Sequence, residues 1–212
     1  LADRIRSRRP IREEELPVLA MFANQAGMAI ENARLYTQLE ELAITDPLTN
    51  LFNQRYFHDR LREETSRAQR QNRNLSLIVF DLDGFKQVND RLGHLEGDRI
   101  LRDFAKTLTA GVRREVDSAF RYGGDEFVIL LPETGTLGAA RVARRVTRSA
   151  KAAFGKDGVS TSWGVAKLEK NGDMASLVRR ADAAMYKMKA GRDGVRMRGT
   201  AIAHAFQPAP RA

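Results

Sequence analysis

The sequence predicts an α/β (α+β) domain: a mixed central sheet flanked by helices, with one long helix ahead of it. Helical periodicities and short apolar, β-branched runs alternate along most of the chain, the pattern of layered α and β elements. In the middle of that alternation Gly123-Gly124 separates two short apolar runs, a hairpin signal. At the front, residues 12–43 repeat apolar residues at threes and fours with no core-forming element before them.

Taken in order, residues 12–43 read as a helix. Glu13, Glu14 and Glu15 stand near its start, where the helix dipole favours negative charge. Leu19, Phe22, Ala26, Ala29, Ala33 and Tyr36 make one stripe, and Met28, Leu35, Leu39 and Leu42 a second. So broad an apolar side suits a two-stranded coil better than packing on its own domain. Thr45-Asp46-Pro47 stops the helix. A second helix is expected at about 53–71. Leu75 to Phe80 is a short apolar run ending on Asp81, a buried strand. Helices follow at about 84–91 and 97–110, and short strands at 119–122 and 127–131. Residues 136–154 form an amphipathic helix whose Arg141, Arg144, Arg145, Arg148 and Lys151 read as a solvated face rather than a phosphate-attracting patch. A strand at 160–166 and a helix at 174–190 complete the pattern. From Gly199 on, with Pro208 and Pro210, a disordered tail is expected.

The chain's 212 residues suffice for one well-buried domain plus an extension. No apolar run approaches the length that crosses a bilayer, and the charged N-terminus lacks a signal-peptide pattern, so a cytoplasmic location without membrane insertion is expected. The chain starts in mid-pattern at Leu1, which reads as a fragment lacking its upstream part. The absence of cysteine excludes disulfides and thiolate metal sites. His58, His94 and His204 are scattered, so any metal should be hard and held by oxygen. A net charge of +9 suits nucleic acid, anionic lipid or phosphorylated small molecules, or simply solvated helix faces.

Two constellations carry chemistry. Asp81-Leu82-Asp83 ends the buried strand, where a carboxylate can hold a divalent cation over a cleft; capping of the next helix by Asp83 is the plainer alternative. In Arg121-Tyr122-Gly123-Gly124-Asp125-Glu126-Phe127, two glycines let a hairpin tip turn with positive φ, and two adjacent carboxylates come directly after them. Paired acids repel unless a cation sits between them. With Asp81 they form a candidate oxygen-lined Mg²⁺ site, against the alternative of a plain hairpin with solvated acids.

At these residues the chain resembles the GGDEF family, the catalytic domain of diguanylate cyclases. Gly123-Gly124-Asp125-Glu126-Phe127 is similar to its signature. Thr45 to Arg55 resembles its opening turn, and Phe80 to Asp90 its metal and nucleotide segment. Gly93-His94-Leu95-Glu96-Gly97-Asp98 and Ala181-Asp182-Ala183-Ala184-Met185-Tyr186 match further segments in order. The resemblance implies a nucleotidyl-cyclase, palm-like fold over residues 41–198, and joining of two GTP into cyclic di-GMP with Mg²⁺, Mn²⁺ being able to substitute. It implies metal ligation by Asp81, Glu126 and the backbone near Leu82, with Asp125 at the metal favouring deprotonation of the attacking 3′-hydroxyl. Asn89 and Asp98 would read the guanine edge, an assignment that suits a carboxylate accepting from N1–H and N2–H. Gly84 and Phe85 would cradle the terminal phosphates at a helix start, with Lys86 adding charge and Lys189 and Arg192 reaching in from the late helix. One domain then offers half a site, so two must face each other. Arg114-Glu115-Val116-Asp117, in isolation a surface ion pair, stands where the family has its inhibitory product site. Arg114 would grip cyclic di-GMP and Asp117 accept from its guanine N–H groups.

Residues 1–40 resemble the last helix of a GAF-type sensor domain, which implies a signalling helix and a homodimer handle. The chain departs from the family in three places, one of them Gln54, which stands where the family often has Arg. Asn50 stands where Gly is usual, a substitution a left-handed turn tolerates. Lys189-Ala190-Gly191-Arg192 is one residue short, and a one-residue deletion rotates the downstream residues by about 100°. Two other readings remain open: a non-catalytic receptor for GTP or cyclic di-GMP, and a polymerase-like or basic nucleic-acid binder. For the latter the sequence offers no aromatic stacking platform or long basic groove.

Overall fold

The computed structural model describes residues 12–193 and 200–206. The chain divides into two compact units at Ala43/Ile44. In the first, a single 3₁₀ turn at Glu13–Glu15 leads into α1 (Leu16–Ile44). The Glu15 carboxylate accepts from the Arg12 N–H at 3.1 Å, placing negative charge at the helix start. Leu16, Val18, Met21, Phe22, Met28 and Ile30 are exposed along α1. The side chains of Ala33, Leu35, Tyr36, Leu39 and Leu42 lie outside the described residues. No described helix is long and apolar enough to cross a membrane.

The second unit is built on β1 (Leu75–Asp83), buried along its whole length. Its alternation feeds two cores. Ile78, Phe80 and Leu82 face one side, and Leu75, Leu77 and Val79 the other. On the first side lie α3 (Phe85–Leu92), α4 (His94–Gly111) and α5 (Thr136–Phe154), contributing Val88, Phe104 and Val146 among others. On the second lie α2 (Gln54–Gln71) and α6 (Met174–Asp193), with Phe57, Leu61, Leu177 and Val178. Each such fully buried side chain contributes about 1.5–3 kcal/mol.

The sheet runs β2 (Ser118–Gly123), β3 (Glu126–Pro132), β1, β4 (Ser160–Lys167). Every ladder in it is antiparallel, where the sequence suggested a mixed sheet. The helical crossovers do connect strands that run parallel, β1 to β2 and β3 to β4. In each case another strand lies between them, so no neighbours are parallel. This is the split β-α-β arrangement.

The expected mid-chain elements fall close to their observed bounds, with two extensions toward the site. β1 continues three residues past Phe80 to Asp83, and α4 starts at His94 rather than at 97. The opening turn is held by Asp46, which accepts from the Thr49 N–H at 2.9 Å and the Thr49 hydroxyl at 2.6 Å. Asn50 has φ 57°, a left-handed conformation that asparagine tolerates. Asn53 then caps α2 by accepting from the Tyr56 N–H at 3.0 Å. α6 crosses β4 at Gly164, where a Cβ would lie 2.0 Å from the Ala181 carbonyl oxygen.

The tail expectation needs correcting. Ala201–Ala205 forms a short helix, α7. Ile202 is fully buried in the second core, and Phe206 stacks on His58 at 5.1 Å between ring centroids. Two large apolar residues four apart share one helical side, enough to anchor a turn. Pro208 and Pro210 lie outside the described residues.

Candidate active site

The pairing of β1 with β3 places Asp81 opposite Glu126. Side chains alternate along a strand, so both point to the face that carries Val79 and Val128. Asp83, two residues on, shares that face. The hairpin tip lies at the same end. Leu82 N–H donates to the Asp125 carbonyl at 3.3 Å, and Gly124 has φ 50°. Arg121 secures the tip: its Nε and Nη2 donate to the Gly124 carbonyl at 3.1 and 2.9 Å, while Nη1 reaches Asp46 at 3.1 Å. The opening turn and the Gly-Gly turn are thus one tied structure.

Asp81, Asp125 and Glu126 meet at this sheet end but do not close on one another. Among the described residues no three carboxylate or imidazole side chains form a ready-made metal cage. The reason is that the strand acids have found internal partners. Lys189 of α6 donates to Asp81 and stands 3.7 Å from Asp83. Ala201 N–H donates to Glu126 Oε1 at 3.0 Å, whereas Glu126 Oε2 is buried without a hydrogen-bond partner. Asp83 does not cap α3, whose N-cap is Gly84 without a side-chain bond. Instead its Oδ2 accepts from the Ser160 and Ser162 hydroxyls of β4, at 3.1 and 2.8 Å.

Burial pushes the Asp81 carboxyl above the ordinary carboxylate range, with Lys189 pulling it partly back. Burial does the same to Asp125 and to Glu126, whose neighbouring acids add to the rise. For Lys189, burial alone would lower the pKa, but the Asp81 hydrogen bond and the surrounding negative charges outweigh it and raise it. The site is an electronegative, partly dehydrated cluster of acids with one ammonium on Asp81. Its side-chain ligand atoms are all hard oxygens, and Glu126 Oε2 is buried without a hydrogen-bond partner. That chemistry fits a small divalent cation that retains some of its waters.

The candidate nucleotide residues lie beside it on the other face. Asn89 of α3 is packed so closely on Gly97 that a Cβ there would lie 2.0 Å from Asn89 Oδ1. That oxygen is buried without a partner. Asp98 sits near the start of α4, partly exposed, 3.8 Å from Arg102. Gly84 opens α3 with φ 82° and approaches Gly158, whose carbonyl would lie 2.8 Å from an added Cβ. Phe85 is partly buried against the first core, and Lys86 is exposed. The Arg192 side chain lies outside the described residues.

At the separate Arg114–Asp117 turn the pairing differs from the expected one. Arg113, not Arg114, grips Asp117, with Nη2 at 2.6 Å and its backbone N–H at 2.8 Å. Glu115 takes φ 62°, and this left-handed step sets which arginine meets the acid. Arg114 instead lines a groove with Thr49, Asn50, Arg102 and Lys106. Sequence reasoning also missed Ser160, Ser162 and Ala201. The alternation Ser160-Thr161-Ser162 was a usable signal, since two hydroxyls two apart share one face of a strand.

The family described as "Diguanylate cyclase, GGDEF domain" matches residues 43–194. Diguanylate cyclase DgcS of Shewanella oneidensis is 38% identical over 162 residues, covering 75% of this chain and 54% of that protein. Response regulator PleD of Caulobacter vibrioides is 39% identical over 164 residues, covering 73% and 36%. The chain therefore spans about half the length of the first relative and about a third of the second. Among solved structures, the coiled coil and GGDEF domain of DgcB from Caulobacter crescentus, in complex with c-di-GMP, superposes with a TM-score of 0.74 at 27% identity. It covers 82% of this chain and 95% of that one. Diguanylate cyclase SiaD from Pseudomonas aeruginosa, in complex with its activator SiaC, gives 0.68 at 34% identity, covering 90% and 73%.

Proposed function

The chain belongs to the GGDEF diguanylate cyclase domain family, and from that premise we propose that it condenses two GTP into cyclic di-GMP with release of two pyrophosphates. One observation carries the reading most directly: the acid-bearing sheet end and the α3–α4 junction each leave a buried acceptor oxygen unpaired, Glu126 Oε2 and Asn89 Oδ1. Buried acceptors without partners are costly, and a cation and a guanine edge are the ligands that would satisfy them.

Mg²⁺ is the proposed metal, with Mn²⁺ able to replace it, held by Asp81, Glu126 and the Leu82 backbone beside Asp125. When bound, it supplies charge neutralisation at the triphosphate and polarisation of the α-phosphorus. The chain's own residues do the rest. Asn89 Oδ1 and the Asp98 carboxylate accept from guanine N–H groups, a pattern that adenine cannot offer. The uncapped start of α3 at Gly84-Phe85 presents backbone N–H groups to the terminal phosphates, aided by Lys86, Lys189 and Arg192. Asp125 takes the proton of the 3′-hydroxyl as that oxygen attacks in line.

Each domain supplies half of this reaction, so the working species is a homodimer. The exposed apolar residues of α1 support that role for the N-terminal helix, whose sequence resembles the last helix of a GAF-type sensor domain. A cytoplasmic location goes with this reading. Arg114 and Asp117 form the proposed inhibitory product site; Arg114→Ala should keep its rate when cyclic di-GMP accumulates, whereas equal inhibition of both proteins would remove the site.

The test is incubation with GTP and Mg²⁺ across protein concentrations, with the products separated and identified. Cyclic di-GMP and pyrophosphate should appear at a rate per protomer that rises with concentration. GTP binding without pyrophosphate release would replace the cyclase with a nucleotide receptor.

A further inference from the structure

Lys189 stands where a bound cation belongs. Its ammonium donates to Asp81 and lies 3.7 Å from Asp83 Oδ1. Both acids are nearly buried, with side chains 10% and 9% exposed, while Lys189 retains 26% exposure. It is therefore an accessible charge covering two inaccessible ones. Asp83 is rigid in a way that Lys189 is not. Its Oδ2 takes the hydroxyls of Ser160 and Ser162, and Oδ1 is aimed at the ammonium. The ladder reinforces this, because Ser160 and Ser162 are the β4 partners of Asp83 and Asp81.

We propose that Lys189 is an exchangeable counter-ion, which the divalent cation must displace from Asp81, and that Asp83 is the positioning residue that keeps the displaced ammonium beside the site. The inference rests on the metal reading above and deepens it. An ammonium and a divalent cation at the same Asp81 oxygen repel each other strongly, because the partly buried surroundings screen them poorly. The ammonium must leave as the metal enters. Still tethered by the Asp83 charge, it turns its exposed end to solvent, from where it can meet a substrate phosphate. A nucleotide triphosphate gives the displaced ammonium a second anion to bind, so it lowers the cost of displacement. Metal and nucleotide should then bind cooperatively, each raising the other's affinity by the same factor.

The experiment measures Mn²⁺ binding by electron paramagnetic resonance without nucleotide, then with a non-hydrolysable GTP analogue. It compares the protein with Lys189→Met, Lys189→Gln and Lys189→Arg. Lys189→Gln keeps an N–H donor on a slightly shorter side chain while removing the charge, so it covers the case in which the methionine variant does not fold. The neutral variants should bind Mn²⁺ about tenfold more tightly without nucleotide, and the analogue should change their Mn²⁺ affinity less than it changes that of the parent. Lys189→Arg, which keeps the charge, should stay near the parent. Mn²⁺ affinity in the neutral variants equal to or below that of the parent would overturn the proposal. Turnover of GTP by the parent is scored separately. If the counter-ion effect appears without turnover, the cyclase reading fails and the exchange stands; if turnover appears without the effect, the exchange fails and the cyclase reading stands.

Discussion

Replacing Gly164 with alanine should unseat α6 from the sheet. The added Cβ would lie 2.0 Å from the Ala181 oxygen, 2.1 Å from the Met185 nitrogen and 2.8 Å from the Ala184 carbonyl carbon. All three atoms are helix backbone, so no side chain can rotate away. Non-bonded heavy atoms rest at about 3.5–4.0 Å, and relief requires the helix to withdraw by roughly 1.5 Å. That withdrawal loosens Leu177, Val178 and Ala181, which are fully buried. Overpacking costs about 1–3 kcal/mol, and the opened contacts add to it, so a loss of about 3 kcal/mol or more is expected. Against a total of roughly 5–15 kcal/mol this is severe, and it corresponds to a drop in Tm of about 6–12 °C. Urea unfolding followed by circular dichroism measures it, and fluorescence of the single tryptophan, Trp163, reports the same contact locally. Gly191→Ala is the control, because an added Cβ there meets nothing within 4 Å. If Gly164→Ala unfolds at the parent's urea midpoint with an unchanged slope, the close crossing of α6 on β4 is wrong.

Gly97→Ala would drive its Cβ into Asn89 Oδ1, so KM for GTP should rise about tenfold with little loss of stability; an unchanged KM would separate Asn89 from guanine recognition. For Asp46, burial raises the carboxyl pKa, but the Thr49 and Arg121 hydrogen bonds and the Arg121 charge outweigh this, leaving it below its ordinary 3.8. Its stabilisation is therefore present above the unfolded pKa and lost as pH falls through the folded one. Asp46→Asn should be less stable than the parent at pH 7 and converge with it in acid, and parallel pH–stability curves would contradict the tied-turn account. Ile202→Ala should cost about 2 kcal/mol locally and speed amide exchange at Ala201, whose N–H holds Glu126. Unchanged exchange there would mean that α7 is held by something other than its apolar side.

Much of the architecture follows from short-range letters. The run Leu75 to Phe80 could only be a buried strand, and Thr136 to Phe154 carries its helical period between its own boundaries. Asn50 in a glycine position announced a left-handed residue, and φ 57° is what the turn adopts. The acids of the proposed site could be located along the chain too, because Asp81, Asp125 and Glu126 sit at the ends of elements that the pattern itself delimits.

What the letters left open was who faces whom. Nothing local says that β3 slots between β2 and β1, yet that insertion makes every ladder antiparallel and sets Asp81 across from Glu126. Nor does anything local send Lys189 to Asp81 across 108 residues, choose Arg113 over Arg114 for Asp117, or fold Ile202 into the second core. Periodicity and backbone preference act over a few neighbouring residues, so they determine elements. Charge pairing and burial are decided by the summed packing of distant segments, and only the folded chain brings those segments together.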